Sequence, residues 1–494
     1  MMVKKKIVVL LIAAVLFIST APLAFAETPY VIDSGISGNL SWSLDSAYTL
    51  EISGKGKMGM YSNTYYNSAN SIFASSAPWG KYYSEIESIV ISKGVTSIGS
   101  YAFSGCSSLK SVDISDSVTT IGEGAFYLCK SLTNITIPDS VNSIYTIAFM
   151  SCYDLSSVKI GNGVKCIESQ AFSNCTSLST VKLGNSLNSI GGYAFEDCRS
   201  IKNISIPNSV MSIDIGAFQG CTSLESILVN EGNLYYLTDD SGCLYNKDKT
   251  LLVQYPIGND RTKYTIPDSV NEIDFYAFSE CSSLTQVDIG NGVTIISPDA
   301  FSRCDSLSSV TFGEKVQFIG ENAFYGCSSL AAVDLPAAVK EIESLSFPDI
   351  ALKDITIRSR KCSIAEDAIS LNATIHGYTG SSAEALAKAY GYSFVSLGSL
   401  PECKHNVEAW EWTDGNMCIG GTTVGICILC DETIFEKRVA LGHMDANGDG
   451  QCDRCNAHIK DETQSKPQQS ANSGSHWYDW LVEFFRMLFN LFRH

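Results

Sequence analysis

Residues 109–131 read LKSVDISDSVTTIGEGAFYLCKS, and residues 132–154 read LTNITIPDSVNSIYTIAFMSCYD. The two stretches align without a gap, so that Leu109 is matched by Leu132 and Cys129 by Cys152. A fixed period of this length is typical of repeat proteins, in which each unit stacks on the next. The stretch therefore predicts a solenoid, because a unit this short cannot form a core by itself.

The motif Ala-Phe-x-x-Cys marks the same period along the chain. Its cysteines are Cys106, Cys129, Cys152, Cys175, Cys198, Cys221, Cys281, Cys304 and Cys327. The spacing between neighbouring members is constant, except for one longer gap between Cys221 and Cys281. In this gap two strand-like runs flank Lys247-Asp248-Lys249, which predicts a hairpin insert at about residues 231–260.

Each unit contains an alternating Val-x-Ile segment, followed by Ser-Val-x-x-Ile and the Ala-Phe-x-x-Cys motif. The alternation predicts one short strand per unit, and the spacing of Ala-Phe-x-x-Cys predicts one helical turn. Burial of eight apolar side chains contributes roughly 10–20 kcal/mol. Ordering the backbone of one unit costs about 20–45 kcal/mol. Stacking of neighbouring units must supply the difference.

These units resemble the BspA-type leucine-rich repeats of secreted and surface bacterial proteins. The resemblance covers about residues 86–396 and includes the specific pattern Ile-Pro-x-Ser-Val, which begins at Ile137, Ile206 and Ile266. It implies a leucine-rich-repeat solenoid over residues 86–398, with an N-terminal cap at 27–85 and a C-terminal cap helix at about 381–392. Ser381, Glu384 and Gly391 carry the helix-boundary signals of that cap.

In a leucine-rich solenoid the residue between Val and Ile of each strand lines the concave face. The candidate binding residues are therefore Asp113, Thr136, Lys159, Lys182, Ser205, Asp288, Thr311 and Asp334, with Leu228 and Thr356 in equivalent positions. This column has no aromatic ladder, carboxylate pair or basic stripe. Small mixed polar residues favour a shallow protein-recognition surface, or simply a solvated face.

The repeat cysteines have three interpretations. Because extracellular cysteines are often paired, they could form disulfides, or they could bind a chain of metal ions. The third interpretation is a column of small buried hydrophobic side chains. The apolar consensus around the motif supplies no second type of metal ligand and favours this third interpretation.

Residues 1–26 have the pattern of a secretory signal. Lys4, Lys5 and Lys6 precede an apolar run from Ile7 to Ile18, and Ala24-Phe25-Ala26 offers a cleavage site. The run is too short for a stable membrane span. This segment therefore predicts a cleaved signal peptide and a secreted or cell-surface location.

The composition narrows the choice of partners. The chain has 494 residues, 45% of them hydrophobic, and a formal net charge of -18. An acidic chain without a basic surface argues against a nucleic-acid partner. The sequence has no HExxH or GxSxG motif, so no catalytic residues are assigned.

A Cys/His-rich module follows at residues 401–460. Its pairs Cys427-x-x-Cys430 and Cys452-x-x-Cys455 have a spacing close to that of a four-thiolate structural zinc site. Disulfides among the six module cysteines are an alternative. A calcium loop is another alternative, with the ligands Asp445, Asn447, Asp449 and Asp453. The twelfth position of that loop is Asn456 instead of the expected Glu, which weakens the calcium interpretation.

The chain ends with a linker at residues 461–475 and an amphipathic segment at 476–494. The segment predicts a helix whose apolar face consists of Trp477, Trp480, Leu481, Phe484, Phe485, Leu488, Phe489 and Phe492. This face suits a membrane or cell-wall interface, an oligomer contact, or packing against the preceding module.

The resemblance implies a non-enzymatic secreted or surface protein that binds host or extracellular proteins through its solenoid and requires no cofactor. Two alternatives remain. The solenoid could be a spacer in a structural cell-envelope protein, or the chain could be a secreted metal-dependent hydrolase centred on residues 427–455. In the hydrolase, His443 with Asp445 would act beside the metal.

Overall fold

The structure is a computed structural model that describes residues 28–65 and 73–400, together with the strands Glu411–Asn416, Gly420–Ile426 and Thr433–Arg438. The chain divides into two compact units, Met1–Glu402 and Cys403–His494. The described part of the first unit is a solenoid, which confirms the predicted architecture. The three strands of the second unit form an antiparallel sheet.

Each coil contributes two short strands, and the prediction of one strand per coil is therefore wrong. The first strand holds the Val-x-Ile segment, and the second holds the last residues of Ser-Val-x-x-Ile, as in Ser111–Ile114 and Thr120–Ile121. Equivalent strands of successive repeats pair in parallel, for example Ile121 with Ile144. A periodicity of two is hard to recognise in a strand this short, which explains why the sequence pattern does not reveal the second strand.

We call the two sets of parallel strands the first row and the second row. The first row consists of Ser88–Ile91, Ser111–Ile114, Asn134–Thr136, Ser157–Lys159, Thr180–Lys182, Asn203–Ile206, Ser226–Val229, Lys263–Thr265, Gln286–Asp288, Ser309–Thr311, Ala332–Leu335, Asp354–Ile357, Thr374–Thr379 and Ser393–Ser399. The second row consists of Val95–Ile98, Thr120–Ile121, Ser143–Ile144, Cys166–Ile167, Ser189–Ile190, Ser212–Ile213, Leu251–Gln254, Glu272–Ile273, Ile295–Ile296, Phe318–Ile319, Glu341–Ile342 and Ser363–Ile364.

The Ala-Phe-x-x-Cys segment is a series of tight turns, and the prediction of a helical turn there is also wrong. Its backbone bonds run to the next coil, with Phe126 N donating to Ala148 O at 2.8 Å and Leu128 N to Met150 O at 3.0 Å. To aim these groups along the solenoid axis, the chain adopts positive φ at non-glycine residues, such as Leu128 at 60° and Ile147 at 52°. Non-glycine residues seldom adopt a positive φ, so the motif alone does not reveal this backbone conformation.

The phenylalanines of the motif form a ladder along the solenoid core. Phe149 is fully buried, and its ring centroid lies 5.1 Å from those of Phe126 and Phe172, with nearly parallel planes. At the N-terminal end Trp79 continues the ladder, because its ring stacks on Phe103 at 5.8 Å. Burial of these large rings contributes favourably to coil stacking.

The segment between Cys221 and Cys281 interrupts the ladder. Strands Tyr236–Thr238, Leu244–Asn246 and Leu251–Gln254 are antiparallel neighbours, and the last of them pairs in parallel with Glu272–Ile273. The buried apolar residues accordingly form two clusters that meet at this insert. Tyr255 takes the place of phenylalanine and stacks on Phe278 at 4.9 Å.

Both ends of the solenoid are covered. Strands Val31–Ser37, Leu40–Asp45 and Thr49–Gly54 form an antiparallel sheet that pairs with the first row through Ser88–Ile91. The short strands Gly56–Lys57, Asn63–Tyr65 and Phe73–Ser75 and the 3-10 helix Gly80–Tyr82 complete this end.

The helix α1, Ser382–Tyr390, covers the other end of the solenoid. Ser381 Oγ accepts from Glu384 N at 3.4 Å, and Gly391 ends the helix with a φ of 78°. Ala383 and Leu386 of α1 are buried in the core. Within the described residues, no helix is long and apolar enough to cross a membrane.

Candidate functional site

The residues between Val and Ile lie in a column on the outer side of the first row, which we call the outward column. Breaks in strand pairing, one of them at the insert, divide this column into groups of neighbouring coils. Parallel pairing holds its members in register: Thr136 lies opposite Lys159, and Lys159 lies opposite Lys182. Most of the predicted members are exposed, namely Asp113, Thr136, Lys159, Lys182, Ser205, Leu228, Thr311 and Asp334. Asp288 and Thr356 are half-buried.

The outward column is longer than the sequence analysis predicts. Thr265 lies opposite Asp288, and His376 lies opposite Thr356. The pattern Tyr264-Thr265-Ile266 could have revealed Thr265. The repeat pattern does not reveal His376, because the last coils are shorter than the others and Asp354 already pairs with Thr374.

The C-terminal part of the outward column carries charges that are neutralised locally. Arg358 donates to both carboxylate oxygens of Asp334 at 2.7 Å. His376 Nε2 lies 2.9 Å from Asp354 Oδ1. Such exposed pairs contribute little stability, but they leave less free charge for a ligand.

Two lysines dominate the N-terminal part of the outward column. Lys159 and Lys182 are both exposed and are direct neighbours across two parallel strands. Neither makes an ion pair within the described residues. This part of the column therefore presents uncompensated positive charge on an otherwise acidic chain.

The repeat cysteines lie inside the coils, behind the turns. All nine are buried free thiols. Cys152 Sγ donates to Phe126 O at 3.2 Å, and the same bond recurs in the next coil between Cys175 and Phe149. Burial raises the pKa of the Cys175 thiol to about 12, so this thiol stays protonated and can donate.

The thiols of the nine repeat cysteines should therefore be unreactive in the folded protein. In residues 27–398, which hold twelve cysteines, a thiol reagent should modify only Cys166, because this residue is partly exposed and the other eleven are buried. All twelve should react after denaturation. Titration with a chromogenic disulfide reagent measures the number of reactive thiols in the folded and in the denatured protein. Fewer than twelve thiols in denaturant would show that disulfides form within the repeats.

No cluster of three or more potential metal ligands occurs within the part of the chain that the structure describes. The predicted zinc ligands Cys427, Cys430, Cys452 and Cys455 lie outside the described residues, as do the calcium candidates Asp445, Asn447, Asp449 and Asp453. The signal peptide and the apolar face from Trp477 to Phe492 also lie outside them. These assignments stay predictions.

The repeats identify the family. The model of the BspA type leucine rich repeat region matches in six copies, over residues 81–165, 142–250 and 258–376, which is more than half of the chain. The chain belongs to the BspA-type leucine-rich-repeat family. The resemblance inferred from Ile-Pro-x-Ser-Val and the constant repeat period is thus confirmed.

Two solved structures are similar to this chain. A leucine rich cell surface protein from Faecalibacterium prausnitzii is 28% identical; the match covers 76% of this chain and 99% of that protein, with a TM-score of 0.56. The pneumococcal vaccine antigen PcpA is 19% identical, with 74% and 98% covered and a TM-score of 0.51, and shows the fold alone. No curated protein matches the chain.

Proposed function

We propose that this BspA-type protein is secreted or displayed on the bacterial surface, where it binds host or extracellular proteins without catalysing a reaction. The observation that supports this proposal best is the outward column. From Asp113 to Asp334 it presents mostly exposed and mostly polar side chains on parallel strands, which pair in register within each group of neighbouring coils. A broad, preorganised surface of this kind suits the recognition of another folded protein.

The candidate binding residues of this function are the outward-column members Asp113, Thr136, Lys159, Lys182, Ser205, Asp288, Thr311 and Asp334. Their side chains project from first-row strands, each of which is bonded to at least one neighbouring parallel strand. Binding therefore requires little ordering of the backbone, which lowers the entropic cost of association. The column lacks the aromatic platforms on which sugars stack, so a protein ligand fits better than a glycan.

The C-terminal region supplies attachment and a separately folded module in this proposal. Structural zinc bound by Cys427, Cys430, Cys452 and Cys455 would stabilise the module, a proposal that rests on their spacing. A stoichiometric zinc content in the purified mature chain would support it, whereas six module cysteines engaged in disulfides would refute it.

The proposed function is tested by comparing residues 27–398 with the mature chain, residues 27–494. Both are assayed for binding to immobilised host matrix proteins and to mucin glycans. We expect both to bind a protein saturably and with similar affinity, because the outward column lies entirely within the shorter chain. If only the mature chain binds, recognition belongs to residues 401–494 and the solenoid is a spacer.

A further inference from the structure

In several places the solenoid pairs unlike charges across neighbouring coils. Lys110 with Glu87, Lys202 with Glu225, and Arg303 with Glu280 are each 23 residues apart in sequence, and their charged atoms lie 2.8, 3.0 and 3.3 Å from each other. Lys159 and Lys182 occupy equivalent positions of neighbouring coils, but both are positive. The same coil spacing that elsewhere neutralises a charge here places two like charges side by side.

We expect this arrangement to destabilise the free protein. Neighbouring strands are about 4.8 Å apart, and like charges directly opposite each other on a sheet repel. No carboxylate on these or the adjacent strands can neutralise the two lysines. Acidic residues are absent from Asn134–Thr136, Ser157–Lys159, Thr180–Lys182 and Asn203–Ile206. A bound ligand with two carboxylates would remove the repulsion and gain two ion pairs.

The outward column changes character beyond the lysines. Ser205 follows Lys182, and the next member is Leu228, whose side chain is 53% exposed. Leu228 is two coils from Lys182, or about 10 Å along the solenoid axis. Along the column, two positively charged side chains are therefore followed by a small polar side chain and then by a large apolar one.

We propose that Lys159, Lys182 and Leu228 form a docking site for an acidic protein segment that carries two neighbouring carboxylates and, about 10 Å away, an apolar side chain. This inference rests on the proposed function, because it specifies the chemistry of the partner that the outward column binds. The carboxylates pair with the two ammonium groups, and the apolar side chain covers Leu228.

A protein segment fits this site better than a sulfated polysaccharide. The basic patch consists of only two lysines and ends at Asp113, on the strand next to that of Thr136. A long polyanion that ran along the column would meet this carboxylate on one side and Asp288 on the other. A short acidic segment avoids both. The exposed Leu228 also requires an apolar partner, which a sulfated chain does not offer.

The test compares two charge-matched variants of the mature chain. The double variant K159Q/K182Q removes the lysine pair, and K110Q/K202Q removes the same number of charges from lysines that already have carboxylate partners. The probe is a fluorescein-labelled peptide with paired glutamates and one leucine, together with a glutamine analogue of this peptide and heparin. Fluorescence anisotropy at low and high salt gives the affinities.

We expect K159Q/K182Q to weaken peptide binding about tenfold, which corresponds to two exposed ion pairs, and K110Q/K202Q to leave it within about twofold. Leu228→Ser should weaken it by about threefold. Binding should weaken with salt. Equal losses in both double variants, or no binding of the peptide, would overturn the proposal. Tighter binding of heparin that depends on Lys159 and Lys182 would also overturn it, in favour of a sulfated ligand.

A second readout needs no ligand. In low salt K159Q/K182Q should raise the melting temperature, because it relieves repulsion, whereas K110Q/K202Q should not. The rise should vanish in about 1 M salt, where the screening length is only about 3 Å. If K159Q/K182Q lowers the melting temperature, the two lysines do not destabilise the free protein, and this argument for the site is contradicted. The peptide assay and the matrix-protein assay use different ligands, so the lysine site and the proposed function can fail separately.

Discussion

Phe149→Ala should lower the free energy of unfolding of residues 27–398 by about 3–5 kcal/mol. The ring is fully buried and stacks on a phenylalanine on either side, so its removal leaves a cavity at two coil interfaces at once. Neighbouring coils in a solenoid stabilise each other only through such interfaces. Urea denaturation monitored by circular dichroism measures the change.

The matched control for Phe149→Ala is Tyr145→Ala, in the same coil. Tyr145 is 40% exposed, so truncation of its ring should lower the free energy of unfolding by only about 1 kcal/mol, well below the loss in Phe149→Ala. A loss of similar size in both variants would show that the phenylalanine ladder does not dominate coil stacking.

The solenoid should become more stable as the pH falls from 8 to 5.5. Loss of hydration raises the pKa of Asp274 to about 7, and the neighbouring Glu272 carboxylate adds to the rise. Loss of hydration likewise raises the pKa of Asp299 to about 6. Because these folded-state values exceed the ordinary value of 3.8, the folded protein binds more protons than the unfolded chain between about pH 4 and 7. The melting temperature should therefore fall as the pH rises through this window.

Asp274→Asn tests the origin of this pH dependence. The variant should melt on the order of 2 °C higher than the wild type at pH 8 and should show a shallower pH dependence, because it removes the poorly hydrated carboxylate. Asp113→Asn, on the exposed outward column, should leave the pH profile unchanged. If Asp274→Asn leaves the profile as steep as in the wild type, the carboxylate of Asp274 is not the group that titrates.

The sequence alone predicts the solenoid because every coil repeats the same apolar positions. Leu109, Val112 and Ile114 recur in the next repeat in chemically equivalent form, and stacking is the only way to bury them. The pattern also predicts which first-row residues point outward, since alternation along a strand fixes the face. The ten residues from Asp113 to Thr356 could therefore be named without coordinates.

Other features depend on contacts between coils, which one repeat does not encode. The second-row strands are very short in most coils and form because each coil bonds to the next, as between Ile121 and Ile144. Positive φ at Leu128 and Ile147 arises for the same reason. That Lys159 and Lys182 are direct neighbours likewise becomes evident only when the register of neighbouring strands is known.

The insert shows a further limit of the repeat pattern. The sequence predicts a hairpin between Cys221 and Cys281, but it does not predict that Tyr255 replaces a ladder phenylalanine. It also does not predict that the carboxyls of Glu272 and Asp274 lose hydration in the coil that follows the insert. Both features depend on how the insert packs between two repeat blocks, which each have their own core.

The central claim is that the outer side of the first row recognises a protein partner. The most direct test is the affinity of the mature chain for a matrix protein that it binds, compared with two double variants. Thr136→Trp/Thr311→Trp places bulky side chains on the outward column, and Asn142→Trp/Asn271→Trp places them at exposed positions beside the second row. We predict that the first variant weakens binding at least about tenfold and that the second has no effect. A loss confined to the second variant, or unchanged binding in both, would contradict the claim.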